Sequence, residues 1–339
     1  MWFLKIQPVL LLSIIALFSS CNERQIQVFQ RKQTLMDSYV SISIYAENEP
    51  PNWQKDINAA FEKIKEIELR VSSHNKNSEI GQINALAGSR SKRVHPQTAS
   101  LLNQAIQISH ETAGAFDPTV WPLRQVWAFS AENPEKPSTE ALLAAQKLVD
   151  YHAVEINENE VSLPKGAGLD LGAIAKGYAV DVAIEYLRQS GYEDFMVEAG
   201  GDLRAVSGSL TSGSRTIWIQ HPRKHDAFFA SIKMDSGAVA TSGDYERFFE
   251  ETGKRYHHIL DPRTGYPARP VVSVTIFANT TELADAFSTA VFVLGLQEGM
   301  GFIEQKNNIE GLIVYQDNDS VLHWKVSSGI RDKLQILEK

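Results

Sequence analysis

Apolar residues recur at helical spacing over residues 53–71, where Ile57, Phe61, Ile64, Ile67 and Val71 form one stripe, the pattern of an amphipathic helix. Just upstream, residues 38–46 alternate, with Val40, Ile42 and Ile44 on one side, which predicts a half-buried strand. Short helices are predicted over residues 79–86, 97–112 and 139–149, the second stopped by Gly114. Residues 153–156 and 161–163 fit a small hairpin. A glycine-rich run from Gly166 enters a helix that reaches Arg188 and stops at Gly191. Residues 195–206 read as two short strands broken by Gly200-Gly201. Further strands are predicted at 217–220, 228–234, 271–277, 312–315 and 322–326, with a last apolar-faced helix at 281–294. Strand–helix alternation is too irregular for a doubly wound parallel sheet. The pattern therefore predicts an α+β fold: mixed, largely antiparallel sheets with surrounding helices, in two lobes around a cleft. The polar, Pro-containing excursion at 131–138 is the expected lobe boundary.

Length changes this picture little. With 339 residues, 43% hydrophobic and 22% charged, the chain can build one large domain or two lobes with a rigid core. Its net charge of -8 and scattered basic residues argue against a nucleic-acid partner. The N-terminus changes more. Lys5, an apolar run at 9–18 and then Ser19 and Ser20 read as a signal peptide over residues 1–20. Phe18-Ser19-Ser20-Cys21 resembles a bacterial lipobox, with Phe where Leu is usual. An ordinary signal peptide with an incidental cysteine is the alternative. The lipobox reading implies lipidation at Cys21, a tether over residues 21–35, and one domain of two lobes over 36–339. It places that domain on the periplasmic side of a bacterial membrane. Cys21 is the only cysteine, so the mature chain has no free thiol for disulfides or thiol catalysis.

Three segments carry candidate chemistry. In Tyr256-His257-His258-Ile259-Leu260-Asp261-Pro262-Arg263-Thr264-Gly265, an alternating run predicts a strand ending at Asp261 and feeding a tight polar turn. That is either a place to present imidazoles or an ordinary hairpin corner. The run Gly166–Gly177 leads into a helix start, where open amides and Lys176 suit a phosphate. Glycines used only for close helix packing are the alternative. Asp285 and Thr289 lie one helical turn apart, so a carboxylate and a hydroxyl project from one face. Such a pair can ligate Mg²⁺, or the Thr can simply bond a backbone carbonyl. A fourth stretch, Gly114–Leu123, keeps Phe116 and Trp121 among Gly and Pro. It reads as a pocket wall or a buried loop. Phosphate contacts, metal ligands and a base together are what transfer at a pyrophosphate needs.

Six blocks then occur in order: Ala115-Phe116-Asp117-Pro118-Thr119-Val120, Asp170 to Gly177, Ala199-Gly200-Gly201-Asp202, Thr241-Ser242-Gly243, His258 to Gly265, and Ala284-Asp285-Ala286. Together they resemble the blocks of the ApbE-type FAD:protein FMN transferases, from about Met36 onward. The resemblance implies that FAD and a protein threonine give a phosphoester-linked FMN and AMP. It implies Mg²⁺ held by Asp285, Thr289 and the carbonyl of Ala173. It implies a flavin-nucleotide cleft with contacts at Met36, His74, Ala115, Phe116, Asp117, Asp170, Lys176 and Ile259, and His258 as the base. His257, on the other side of the strand, is expected to be structural. Implied partners are exported acceptors carrying an Asp-x-x-Ser/Thr-Gly-Ala-Thr type motif. A metal-dependent FAD pyrophosphatase and a non-catalytic tethered flavin-binding lipoprotein are the competing readings. The chain departs from the family at Asp37, where Gly is usual, at Glu198, where Asn is common, and at His74, where an aromatic is frequent. Asp235-Ser236-Gly237-Ala238 resembles the acceptor motif, but Val239 stands at its threonine position.

Overall fold

The computed structural model describes residues 25–211, 215–317 and 319–338. Cys21 and the leader lie outside the described residues. The chain opens with strands β1 (Gln27–Leu35) and β2 (Ser38–Ala46), then helices α1 (Trp53–Val71) and α2 (Glu79–Leu86). Strand β3 (Lys92–Arg93) and helices α3 (Pro96–Glu111), α4 (Trp121–Trp127) and α5 (Thr139–Gln146) follow. Next come β4 (Glu155–Asn157), β5 (Glu160–Ser162), α6 (Ala175–Gln189), β6 (Phe195–Ala199) and β7 (Asp202–Val206). The second half holds β8 (Thr216–Gln220), β9 (Phe228–Lys233), β10 (Gly237–Gly243), β11 (Phe248–Glu251), β12 (Lys254–His257) and β13 (Val271–Ala278). It closes with α7 (Thr281–Gln305), β14 (Ile309–Gln316), β15 (Leu322–Val326) and β16 (Leu334–Ile336).

Eight strands form one antiparallel sheet in the order β1-β2-β6-β7-β10-β13-β14-β15. One face buries Val40, Ile42, Val197, Ala240, Val274 and Ile276 against α1, α6 and α7. The apolar stripe of α1 lies in this layer, with Ile57, Phe61, Ile64, Ile67 and Val71 all buried. Burial of each such side chain contributes roughly 1.5–3 kcal/mol. On the other face, Leu203, Val239, Phe277, Leu312 and Val314 pack under the small sheet β16-β9-β8. The result is three layers around two cores, as a sheet with two apolar faces requires. A third cluster joins Leu123, Trp127 and Leu142 to Tyr256 and Leu260. It seats α4, α5 and the β11–β12 hairpin beside the main body.

Three expectations change. The tether assigned to 21–35 is structured from Gln27: β1 pairs with β2 in unbroken register from Gln27↔Ala46 to Leu35↔Ser38. The sequence of β1 does not alternate because it is an edge strand, exposed along most of its length, and edges are kept polar. Residues 131–138 do not divide lobes, because α4 before them and α5 after them share one apolar cluster. The strand expected to end at Asp261 stops at His257, with only an isolated bridge, Leu260↔Pro267, beyond it. The His258 amide extends the β11–β12 pairing by one step, donating to the Arg247 carbonyl (3.0 Å).

The Asp37 departure falls at the β1–β2 turn. Met36 and Asp37 both have positive φ, 53° and 56°, as a two-residue type I′ hairpin requires. A short polar side chain tolerates that region, whereas a β-branched one does not.

Candidate functional site

The elements that build the site meet at the N-terminal ends of α6 and α7. Asp181 of α6 accepts from the Thr281 amide (3.1 Å) and the Glu282 amide (2.9 Å) and pairs with Arg204 (2.7 Å). Those bonds cap α7 and fix its first turn against α6. The approach is close enough that a Cβ on Gly177 would lie 2.3 Å from the Thr281 carbonyl oxygen, which explains the glycine there. Gly177→Ala is expected to cost about 1–3 kcal/mol, the usual range for overpacking. Urea denaturation checks this, and an unchanged midpoint would show that the two helices can part without loss.

Beside this junction, α6 and α7 line a cleft of about 710 Å³, within the range of small-molecule sites. Met36, His74, Ala115, Phe116, Asp117, Asp170, Ala173, Lys176, His258, Ile259, Asp285 and Thr289 all line it. Residues from six separate parts of the chain thus share one cavity. Cys21 lies outside the described residues. His257 lies on the far side, buried, with Nε2 donating to the Ala268 carbonyl at 2.9 Å.

Charge in the cleft is confined and interlocked. Lys176 is ion-paired with Asp202, whose carboxylate is buried, and the pairing with Asp202 and Asp285 raises the Lys176 pKa despite burial. Asp285, 5% exposed, accepts from the Gly177 amide at 3.0 Å. Burial and the neighbouring Asp202 push its pKa up, with Lys176 opposing them. Thr289 Oγ1 meets Ser242 Oγ at 3.0 Å, and Ser242 also meets Ser288 Oγ at 2.8 Å. Asp170 is ion-paired with Arg124 (Nε to Oδ2 2.9 Å) and accepts from the Gly172 amide at Oδ1 (2.7 Å).

The phosphate site expected at the start of α6 is less open than its glycines imply. The Ala175 amide donates to the Leu171 carbonyl (2.8 Å) and the Gly177 amide to Asp285. A carboxylate of the chain itself occupies the position favoured by the helix dipole. In consequence the Ala173 carbonyl is not taken by the amide four residues on.

The apolar wall is built as a loop. Asp117 Oδ1 accepts from both the amide (2.7 Å) and the hydroxyl (2.6 Å) of Thr119, an Asx turn. Burial raises the Asp117 pKa against those bonds. The turn holds Ala115 and Phe116, both buried, against the cleft. Pro122 does not exclude a helix here: it stands in the first turn of α4, where its missing amide costs nothing. His74 packs edge-on to Trp121, ring centroids 5.1 Å apart. Asp261 and Arg263 brace their own turn through paired contacts of 2.9 and 3.1 Å. Glu198 accepts from the Gly201 amide (3.3 Å), fixing the β6–β7 turn.

Both imidazoles are held neutral. Burial, then Arg124, His257 and Arg247, lower the His258 pKa to about 3, and its Nδ1 has no hydrogen-bond partner among the described residues. Burial lowers His257 from 6.5 to about 4. An unfolded chain takes up a proton at His257 below pH 6.5, while the folded chain takes it up only near pH 4. Stability from this group is therefore complete above pH 6.5 and falls as pH drops toward 4, by about 2–3 kcal/mol. Denaturation of wild type and His257→Gln at pH 7.0 and 4.5 tests this, with a shallower pH slope expected in the variant. Equal slopes would refute it.

Arg124, Asp202, Ser242 and Arg247 were not assigned from sequence. Asp202 and Ser242 stand inside recurring blocks, a usable signal. Arg124 and Arg247 stand in no pattern and enter only through the fold.

Comparison with known proteins agrees with this geometry. The ApbE family model matches residues 36–313. The FAD:protein FMN transferase of Haemophilus influenzae is 34% identical over 269 residues, 76% of this chain and 78% of that protein. The ApbE protein structure from Thermotoga maritima superposes with a TM-score of 0.81 at 35% identity, covering 91% of this chain and 99% of that one. Flavin transferase ApbE from Vibrio cholerae gives 0.82 at 29% identity, with 91% and 100% covered. On a match that spans more than three-quarters of its length, this chain belongs to the ApbE family.

Proposed function

We propose that this chain transfers the FMN moiety of FAD to a threonine hydroxyl of a protein acceptor and releases AMP. The observation that carries the reading is the convergence on one cleft of a neutral imidazole, a lysine paired with a buried carboxylate, and a second buried carboxylate one turn from a half-buried hydroxyl. The acceptor oxygen forms a bond to the phosphorus of the FMN half. The bond from that phosphorus to the AMP oxygen breaks, and the hydroxyl proton passes to His258. Ala115, Phe116 and Ile259 would supply apolar surface for a flavin ring, with Met36 and His74 lining the same cleft.

The residues present suit Mg²⁺. Asp285 and Asp202 are two buried carboxylates with one cation, Lys176, between them, a surplus of negative charge that a divalent ion relieves. Asp285, Thr289 and the Ala173 carbonyl would hold it, an all-oxygen set. When bound, it would neutralise phosphoryl oxygens. We further propose that Cys21 is lipidated and that acceptors are exported proteins met at the periplasmic face of a membrane, carrying the Asp-x-x-Ser/Thr-Gly-Ala-Thr type motif.

Incubation of the protein with FAD, Mg²⁺ and an acceptor domain carrying that motif tests the reading. The expected result is an acceptor heavier by FMN, equimolar AMP, and no adduct on a Thr→Ala acceptor. AMP and free FMN with an unmodified acceptor would overturn it in favour of hydrolysis.

A further inference from the structure

Arg124 has no place in the roles so far, yet it lines the cleft. It projects from α4, the short helix that follows the apolar wall. Its Nε lies 2.9 Å from Oδ2 of Asp170, an ion pair with a carboxylate side chain only 4% exposed, and that oxygen has no hydrogen-bond partner among the described residues. Neither Nη group makes a hydrogen bond among the described residues. A guanidinium held by Nε keeps its other N–H donors for a second oxygen ligand.

That fork lies beside Gly172. A Cβ on Gly172 would lie 3.4 Å from Arg124 Nη1 and 3.0 Å from Asp170 Oδ1. The guanidinium therefore lies against the Gly172 backbone, one residue from Ala173 and four from Lys176. Its charge is also the principal one acting on His258. The fork thus shares the cleft with the loop offered to the pyrophosphate and with the imidazole offered to the incoming hydroxyl.

From this placement we infer that Arg124 is a catalytic cation, whose free Nη groups bind the oxygens of the phosphoryl group being transferred, with Asp170 as its positioning residue. The inference rests on the proposed transfer reaction. As the acceptor O–P bond forms and the P–O bond to AMP breaks, negative charge is shared among the oxygens around phosphorus. A fixed guanidinium stabilises that state more than the ground state. The step needs no reagent beyond FAD and the acceptor hydroxyl. Arg124 also explains why Asp170 is buried opposite it: a carboxylate on the distal side aligns the fork without consuming it.

The test compares wild type, Arg124→Ala, Arg124→Lys and Asp170→Asn with FAD, Mg²⁺ and an acceptor domain. For Arg124→Ala, kcat is expected to fall about 100-fold or more, with a smaller change in KM for FAD. Guanidinium ion added at millimolar concentration is expected to restore part of that kcat, a rescue that a purely structural role would not give. Arg124→Lys keeps a charge without the fork and is expected to lose at least 10-fold, as is Asp170→Asn. A wild-type kcat in Arg124→Ala, a rise in KM alone, or a loss that guanidinium leaves unchanged would overturn the inference. Arg124→Lys decides the matter if Arg124→Ala does not fold, since wild-type kcat there is equally fatal. Absence of any FMN adduct with wild type would instead overturn the transfer reading itself.

Discussion

Replacing His258 by Ala is expected to slow FMN transfer about 10²–10⁴-fold, the usual contribution of a positioned general base. Its amide is tied to the Arg247 carbonyl (3.0 Å), so the ring is set by backbone, and removing it should leave the fold intact. The pKa near 3 has a clear sign: burial and three cationic or imidazole neighbours disfavour the protonated form. The ring is therefore neutral, and able to accept, at every physiological pH. The same neighbours make it a weak base in the empty cleft. Two phosphates entering beside Arg124 and Arg247 offset those charges and raise its basicity when a proton must be taken. Acceptor mass followed over time, with FAD affinity measured separately, checks the assignment. A rate within a few-fold of wild type would remove His258 from the mechanism.

Asp285→Asn is expected to be as damaging to turnover, by about 10²-fold or more, while making the metal-free protein more stable. The amide oxygen can still accept from Gly177, so the α6–α7 junction keeps its bond. What disappears is one of two negative charges buried side by side. A site assembled for a cation carries that repulsion when the cation is absent, and relieving it raises the denaturation midpoint. Activity lost together with stability would point instead to a structural role for Asp285. Titration with Mg²⁺ separates the two outcomes, because wild type should gain stability on adding it and Asp285→Asn should not.

Much of the architecture was legible because burial imposes periodicity. The α1 stripe and the β2 alternation name the residues that face the helical core. The β6–β7 turn was legible for another reason, since Gly200-Gly201 can serve little else between two apolar runs. What the pattern hid follows from the same physics. β1 carries no alternation because it is an edge strand with one face exposed and the other only half-covered, and α4 was obscured by a proline that its first turn accommodates. The site residues were found by their grouping into blocks, but their interlocking was not. Nothing in the sequence says that Asp202 pairs with Lys176 across 26 positions, that Asp285 takes the Gly177 amide, or that Arg124 answers Asp170. Those contacts depend on how α4, α6 and α7 are set against the sheet, which no local pattern encodes.

The early start of β1 also limits reach. Five residues separate Cys21 from Gln27, the first residue of the strand, and the six steps from one to the other span about 20 Å when fully extended. A spacer running to residue 35 would have allowed about 50 Å. If Cys21 is lipidated as proposed, the enzyme works on a short leash, with the sheet edge kept within a few headgroup diameters of the bilayer. Substrates would have to come down to it, so proteins whose modifiable loop stands far above the lipid would escape modification however well that loop fits the cleft.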